Sequence, residues 1–207
     1  VDQDIRTRSC YTPVQYLPIH YKIYYIFIIV RSSDDELEEC YEEIVRRLEV
    51  REYDGRPVPD DVKLKVLDAG RTAPSSRNSQ PWHFILVDGP GLLKRLSEFS
   101  FTGSYVGNAS FAVVVLVDAG AERADLDGAR AAQTMALAAW SLGVASRFYT
   151  GLEVVKVMDL LGIPADRWRI LGVLSFGYPA KKLRGRKTRK LLEEVASRNL
   201  FGTPLSG

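Results

Sequence analysis

The chain has 207 residues, 28 of them basic and 26 acidic, for a formal charge of +2. Hydrophobic residues make up 46% and charged residues 26%, values that fit one globular domain with or without an arm. They exclude a wholly disordered chain, and the near-zero charge excludes a general polyanion binder, so no nucleic-acid partner is expected.

Residues 1–33 read as a separate N-terminal arm, ahead of a domain over 34–207. The arm holds five of the ten tyrosines. Its apolar run, 23–30, is far short of the ~20 residues that span a membrane, and its β-branched and aromatic content predicts a buried strand. No small-residue cleavage site follows it, so the expected location is the cytoplasm, with no membrane partner. Ser33 and Glu36 form a capping box, which predicts a helix with Leu37, Tyr41, Ile44 and Leu48 on one face. Asp54-Gly55, Pro57 and Pro59 break the chain. Asp60 or Asp61 is expected to cap a second helix to about Ala69, with Val62, Val66 and Leu67 inward.

Residues 71–82 read as a loop rich in Ser, Pro and Asn, followed by a strand over 83–87 and a short helix over 92–99. The clearest buried strand is 111–117, Phe-Ala-Val-Val-Val-Leu-Val. An Ala-rich helix is predicted over 126–142 and ended by Gly143; alanines at 129, 131, 132, 136, 138 and 139 suit the centre of a fold or of a dimer. A helix over 153–161 stops at Gly162 and Pro164, and 170–176 reads as a last buried strand. The tail carries seven basic residues within 181–190 and a short helix from Leu191. Helices and strands interleave irregularly, which predicts α+β rather than a doubly wound sheet.

Several chemistries lack their residues. No G-x-G-x-x-G follows a strand, and no P-loop, G-x-S-x-G elbow or H-E-x-x-H helix is present. Cys10, Cys40, His20 and His83 are too few for a disulfide framework, a four-cysteine zinc site or a His-rich centre, so no metal is expected. His83, after Pro81-Trp82, reads as structural. The loop Pro74-Ser75-Ser76-Arg77-Asn78-Ser79-Gln80-Pro81-Trp82 is either a turn or a rigid set of donors and acceptors for the edge of a heterocycle. Arg46, Arg47 and Arg51 lie early, and Lys187 and Arg189 late. Each group alone reads as solvated surface, and the two together would make a phosphate site if they converge.

The run from Pro74 to Phe84 resembles the P-S-S-x-N-x-Q-P-W-x-F motif of the FMN-dependent nitroreductase family. Arg47-Leu48-Glu49-Val50-Arg51-Glu52-Tyr53 is similar to that family's R-[RH]-S-[VI]-R-x-[FY]. Asp127-Gly128-Ala129 with Gln133, Leu161-Gly162-Ile163-Pro164, Gly177-Tyr178-Pro179 and Lys187-Thr188-Arg189 recur in the family's order, over roughly 36–195.

The resemblance implies an α+β fold with a central, mostly antiparallel sheet flanked by helices. It further implies an intertwined homodimer with FMN at the interface. Arg47 would contact the ribityl–phosphate end, Arg51 the N1/C2=O edge of the ring, and Lys187 and Arg189 the phosphate. Pro74, Ser75, Ser76 and Asn78 would line the ring from the other subunit. Thr150 and Gly151 would offer backbone groups near N5 and O4, and Asn108 would contact the ring or ribityl chain. Phe101, Tyr105 and Phe148 are candidates to line the slot for a small-molecule acceptor. No side chain need be a strong acid or base; the implied activity is hydride transfer from NAD(P)H through the flavin to nitroaromatics, quinones or similar acceptors. The alternatives are a flavin-binding protein without turnover and a flavin-converting or dehalogenating specialist of the same fold. Leu48 and Glu49 replace the family's second base and serine. A carboxylate beside a phosphate predicts weaker FMN binding, unless Glu49 pairs with a neighbouring arginine.

Overall fold

The computed structural model describes residues 34–183 and 187–205. The arm at 1–33, with its apolar run and Ser33, lies outside the described residues, as do Arg184, Arg186 and the side chains of Glu36 and Leu37. Among the described residues there are six helices and four strands; the helices run in chain order as α1 (Asp34–Arg46), α2 (Asp60–Arg71), α3 (Pro90–Glu98), α4 (Ala124–Ser141), α5 (Val154–Leu161) and α6 (Leu192–Val195). Four strands, β1 (Trp82–Val87), β2 (Phe111–Asp118), β3 (Ala145–Tyr149) and β4 (Trp168–Gly177), form one sheet in the order β1-β2-β4-β3. Every pairing in it is antiparallel. The architecture is α+β, as expected.

β2 is central and buried on both faces, which explains its unbroken apolar sequence. Its Ala112, Val114 and Leu116 pack with Leu93, Leu96 and Val157 on the α3/α5 side. Its Phe111, Val113 and Val115 pack with Val66 of α2 and Ala132, Met135, Ala136 and Ala139 of α4. Phe111 also stacks on Phe176 of β4 at 4.5 Å between centroids. Small residues let the helices come close: a Cβ on Gly70 would stand 2.7 Å from Met135 Cγ. Gly143 ends α4 with φ +74°, a conformation glycine adopts without strain.

Three features differ from expectation. β3 has no strand signal in the sequence, being a short segment with two polar residues in five, and it forms because β4 offers it a free edge. Asp60 and Asp61 do not cap α2. Pro59 is the N-cap, and the Asp60 carboxylate is engaged by Lys63 Nζ at 2.9 Å. The apolar face of α1 is only partly covered: Tyr41 and Ile44 are 58% and 55% exposed.

β3 is itself covered on its outer side. Glu49 bridges Ser146 in parallel sense, Val50 N–H donates to Ser146 O at 3.1 Å, and Tyr53 bridges Pro179. The segment 49–53 therefore lies along the sheet margin, satisfying backbone groups that an open edge would leave bare.

Candidate functional site

Two polar assemblies stand out. The first is the loop over 74–82. Ser76–Asn78 makes one 3₁₀ turn, and Arg77, Asn78 and Gln80 take φ of 54°, 56° and 48°. Three non-glycine residues at positive φ within four positions are uncommon and need support. Asp127 of α4 supplies it. Its carboxylate is fully buried and accepts from Ser76 N–H at 2.9 Å and Arg130 Nη1 at 3.3 Å. Ser75 Oγ accepts from Gln80 N–H at 3.0 Å, and Pro81 O accepts from Asp118 N–H at 2.9 Å. Gly128 is required beside it, because a Cβ there would meet Val117 Cγ1 at 2.5 Å. Ser75 and Ser76 are half-buried, while Pro74 and Asn78 are exposed. His83 is exposed on β1 with its ring 5.6 Å from Trp168, a packing role as expected.

The second assembly gathers cations. Arg47 follows α1, and its Nη2 donates to Glu49 Oε1 at 2.5 Å. The other oxygen, Glu49 Oε2, accepts from Phe148 N–H at 3.3 Å and stands 3.7 Å from Arg147 Nη1. Lys187 folds back so that Nζ donates to Val45 O at 2.7 Å, a favourable place for a cation at the end of α1. Burial first, and then the nearness of Arg47 and Arg189, lower the Lys187 pKa, with Glu49 opposing. Lys187 thus returns to the end of α1 near Arg47, with Arg189 two residues beyond it. Glu49, Arg51, Arg147, Lys181 and Lys182 line an adjoining cleft of about 580 Å³.

The remaining residues fall around the end of β3. Thr150 is exposed, and Gly151 O accepts from Phe101 N–H at 2.8 Å and Thr102 N–H at 3.3 Å. Gly151 is packed against Thr102, whose Oγ1 would lie 2.5 Å from an added Cβ. Phe101 is 73% exposed. Tyr105 stands edge-on to Tyr149 at 5.8 Å, and burial raises its phenol pKa while Arg147 and Arg51 pull it back. Phe148 is half-buried and packs on the α2/α4 core with its ring against Gly172. Asn108 is exposed at the end of the turn Ser104–Asn108.

Among the described residues, no hydrogen bond or ion pair joins the 74–82 loop to the cationic assembly. The loop instead borders a second concavity of about 480 Å³, formed by Pro74 with Leu126, Ala129, Arg130, Gln133 and Thr134 on the outer side of α4.

The residues fit an anionic, planar cofactor. Among the described residues, Arg47 Nη1, Arg147 Nε and Tyr105 Oη are buried without a well-formed hydrogen bond, although Arg147 lies close enough to the Tyr105 phenol to hold its pKa down, so the cleft has donors to offer an added anion. Arg147 was missed in the sequence. A lone arginine in a short strand carries no pattern, and only the anomaly of Glu49 pointed toward a partner. No group of three or more His, Cys, Asp or Glu able to hold a metal occurs among the described residues. No helix among them is long and apolar enough to cross a membrane.

Comparison with known proteins adds an independent line. A sequence model of the nitroreductase family matches residues 44–122 and 106–178. The chain is 37% identical over 152 residues to an Archaeoglobus fulgidus protein named as a candidate NADH dehydrogenase/NAD(P)H nitroreductase, spanning 69% of this chain and 87% of that one. Its fold is similar to a crystal structure of the same description from Parabacteroides distasonis, with TM-score 0.71, 28% identity, and coverage of 79% of this chain and 99% of the other. It also shares its fold with an FMN-dependent nitroreductase from Clostridium difficile, with TM-score 0.72, 24% identity, and coverage of 78% and 99%.

Proposed function

Since the chain belongs to the nitroreductase family, we propose that it is an FMN-dependent, NAD(P)H-linked oxidoreductase acting on nitroaromatic, quinone or related small acceptors by a ping-pong cycle. The observation that carries the reading is the convergence of Arg47, Lys187 and Arg189 from opposite ends of the domain, beside buried donors without a well-formed hydrogen bond. When bound, the flavin supplies a hydride acceptor at N5 and a route for the electrons to the second substrate.

The chain's own residues then have separate tasks. Lys187 and Arg189 hold the phosphate, the lysine as a point charge and the arginine as a fork. Arg47 holds the ribityl–phosphate end through Nη1, since its Nη2 is already on Glu49. Arg51 lines the cleft and places a cation where reduction puts negative charge on the ring edge. Asn108 and the backbone at Thr150 and Gly151 orient the ring. Phe101, Tyr105 and Phe148 bound the acceptor's slot. Pro74, Ser75, Ser76 and Asn78 reach the ring of a partner subunit. Three features support such a homodimer: the exposed Tyr41 and Ile44, the concavity beside Pro74, and a rigid loop unattached to its own cationic assembly.

The test is the absorption spectrum of the purified protein with FMN, before and after anaerobic NADPH and NADH. A bound flavin whose visible band bleaches with either nucleotide is the expected result. Failure to take up FMN would overturn the reading, and uptake without bleaching would reduce it to flavin binding.

A further inference from the structure

We propose that Arg147 is a ligand for the flavin phosphate, held in place by Glu49 and standing in for the base that the first motif lacks at Leu48. The assignment rests on the FMN reading and extends it to a residue outside the recurring motifs.

The placement is fixed by backbone. Glu49 bridges Ser146, the neighbour of Arg147 on β3, and Val50 N–H donates to Ser146 O. This brings a carboxylate from the segment after α1 against an arginine from a distant strand. That carboxylate sits between two guanidiniums, 2.5 Å from Arg47 Nη2 and 3.7 Å from Arg147 Nη1, and is fixed further by Phe148 N–H at 3.3 Å. One anion spaces two cations that would otherwise repel.

The pair is incomplete without another acceptor. Among the described residues, Arg47 Nη1 and Arg147 Nε make no well-formed hydrogen bond, the two guanidiniums lie on the two oxygens of Glu49, and Arg147 also lies near the Tyr105 phenol. Glu49 is shared by Arg47 and Arg147, and Lys187, whose pKa the nearby Arg47 and Arg189 lower, adds further positive charge on the Arg47 side, so the cluster carries more cations than Glu49 can neutralise. A phosphate ester, at roughly −1.5 to −2, would offset part of that excess, whereas the uncharged ribityl chain of riboflavin would not. Leu48, by contrast, brings no charge. The base missing from the motif thus returns in space from β3.

The test compares dissociation constants for FMN and riboflavin, read by quenching of flavin fluorescence, in the parent protein, Arg147→Gln and Arg147→Lys. Both variants keep an unbranched stem, Arg147→Lys also keeping the charge and most of the length, and circular dichroism checks that each is folded. Arg147→Gln is expected to weaken FMN by about tenfold to a hundredfold, as loss of a charge-assisted bond should. Riboflavin should change by less than about threefold, and Arg147→Lys should recover part of the FMN loss. Equal losses for the two flavins, or none, with FMN still bound by the parent, would overturn the assignment and leave the flavin reading standing. No uptake of FMN by the parent would overturn both.

Discussion

Asp127 and Glu49 each gather a backbone N–H from a distant segment and a guanidinium from close in sequence, and Glu49 adds a second guanidinium, Arg147 of β3. Asp127 does so with 1% of its side chain exposed, Glu49 with 33%. Burial makes the Asp127 contacts permanent, because no solute can reach the carboxylate to compete for them. Glu49 lies at the rim of a cleft, where an arriving anion can share its arginines. The same chemistry therefore gives a fixed loop in one region and an exchangeable binding edge in the other. A carboxylate's role follows from its access to solvent more than from its partners.

The sharpest way to break this comparison is at Asp127. Asp127→Ala leaves Ser76 N–H without its acceptor and releases a loop with three residues at positive φ. We expect a loss of about 3 kcal/mol in stability by guanidinium denaturation, at fixed protein concentration so that any association is held constant. A loss below about 1 kcal/mol would mean that the loop holds its shape unaided. The open region should respond in affinity instead. Arg189 is exposed and, among the described residues, hydrogen-bonded to the neighbouring Thr188 O alone, so Arg189→Ala should leave unliganded stability nearly unchanged. FMN binding should weaken by about 2 kcal/mol. Unaltered FMN occupancy after purification would remove Arg189 from the phosphate site.

The fixed parts of the molecule were the legible ones. β2 announced itself through an apolar run that only burial on both faces explains, and α4 through its alanines and Gly143. β3 could not be read, because Ala-Ser-Arg-Phe-Tyr has neither alternation nor a continuous apolar run. It is a strand because β4 and the 49–53 segment flank it. The loop's composition was visible, but its shape depends on Asp127, 51 residues from Ser76. Arg77 and Gln80 at positive φ belong to no turn preference. At the cationic assembly the ends of the domain could be named from motifs, yet Arg147 became visible only once Glu49 was seen to sit between it and Arg47.

A neutral group near the cleft extends the comparison. Burial, the largest cause, pushes the Tyr149 phenol up to about 12, with Ser100 pulling it back and Tyr105 adding a little. An unfolded tyrosine titrates near 10. The folded protein keeps this proton longer, so the contribution is fully present below pH 10 and is lost between pH 10 and about 12. Tyr149→Phe should flatten the fall in stability over that window, by on the order of 1–2 kcal/mol, in urea titrations at successive pH values. An unchanged slope would mean that solvent reaches the phenol. Tyr53, whose pKa burial also raises, would supply the slope that remains.

The smallest expected effect separates the two carboxylates most directly. Glu49→Gln removes the charge between Arg47 and Arg147 but keeps the side chain's size. Arg47 is 12% exposed, so without ligand it loses a charged partner in a partly dry place, and about 1 kcal/mol of stability should go with it. FMN would then supply the missing acceptor without a carboxylate beside it to repel. Its binding should tighten, and the rise in melting temperature on adding saturating FMN should be larger than in the parent. Asp127→Ala should gain no such extra rise, since no part of the flavin reaches a carboxylate buried under the 74–82 loop. Equal rises for the parent and Glu49→Gln would place Glu49 with Asp127, as a structural anion that the ligand never addresses.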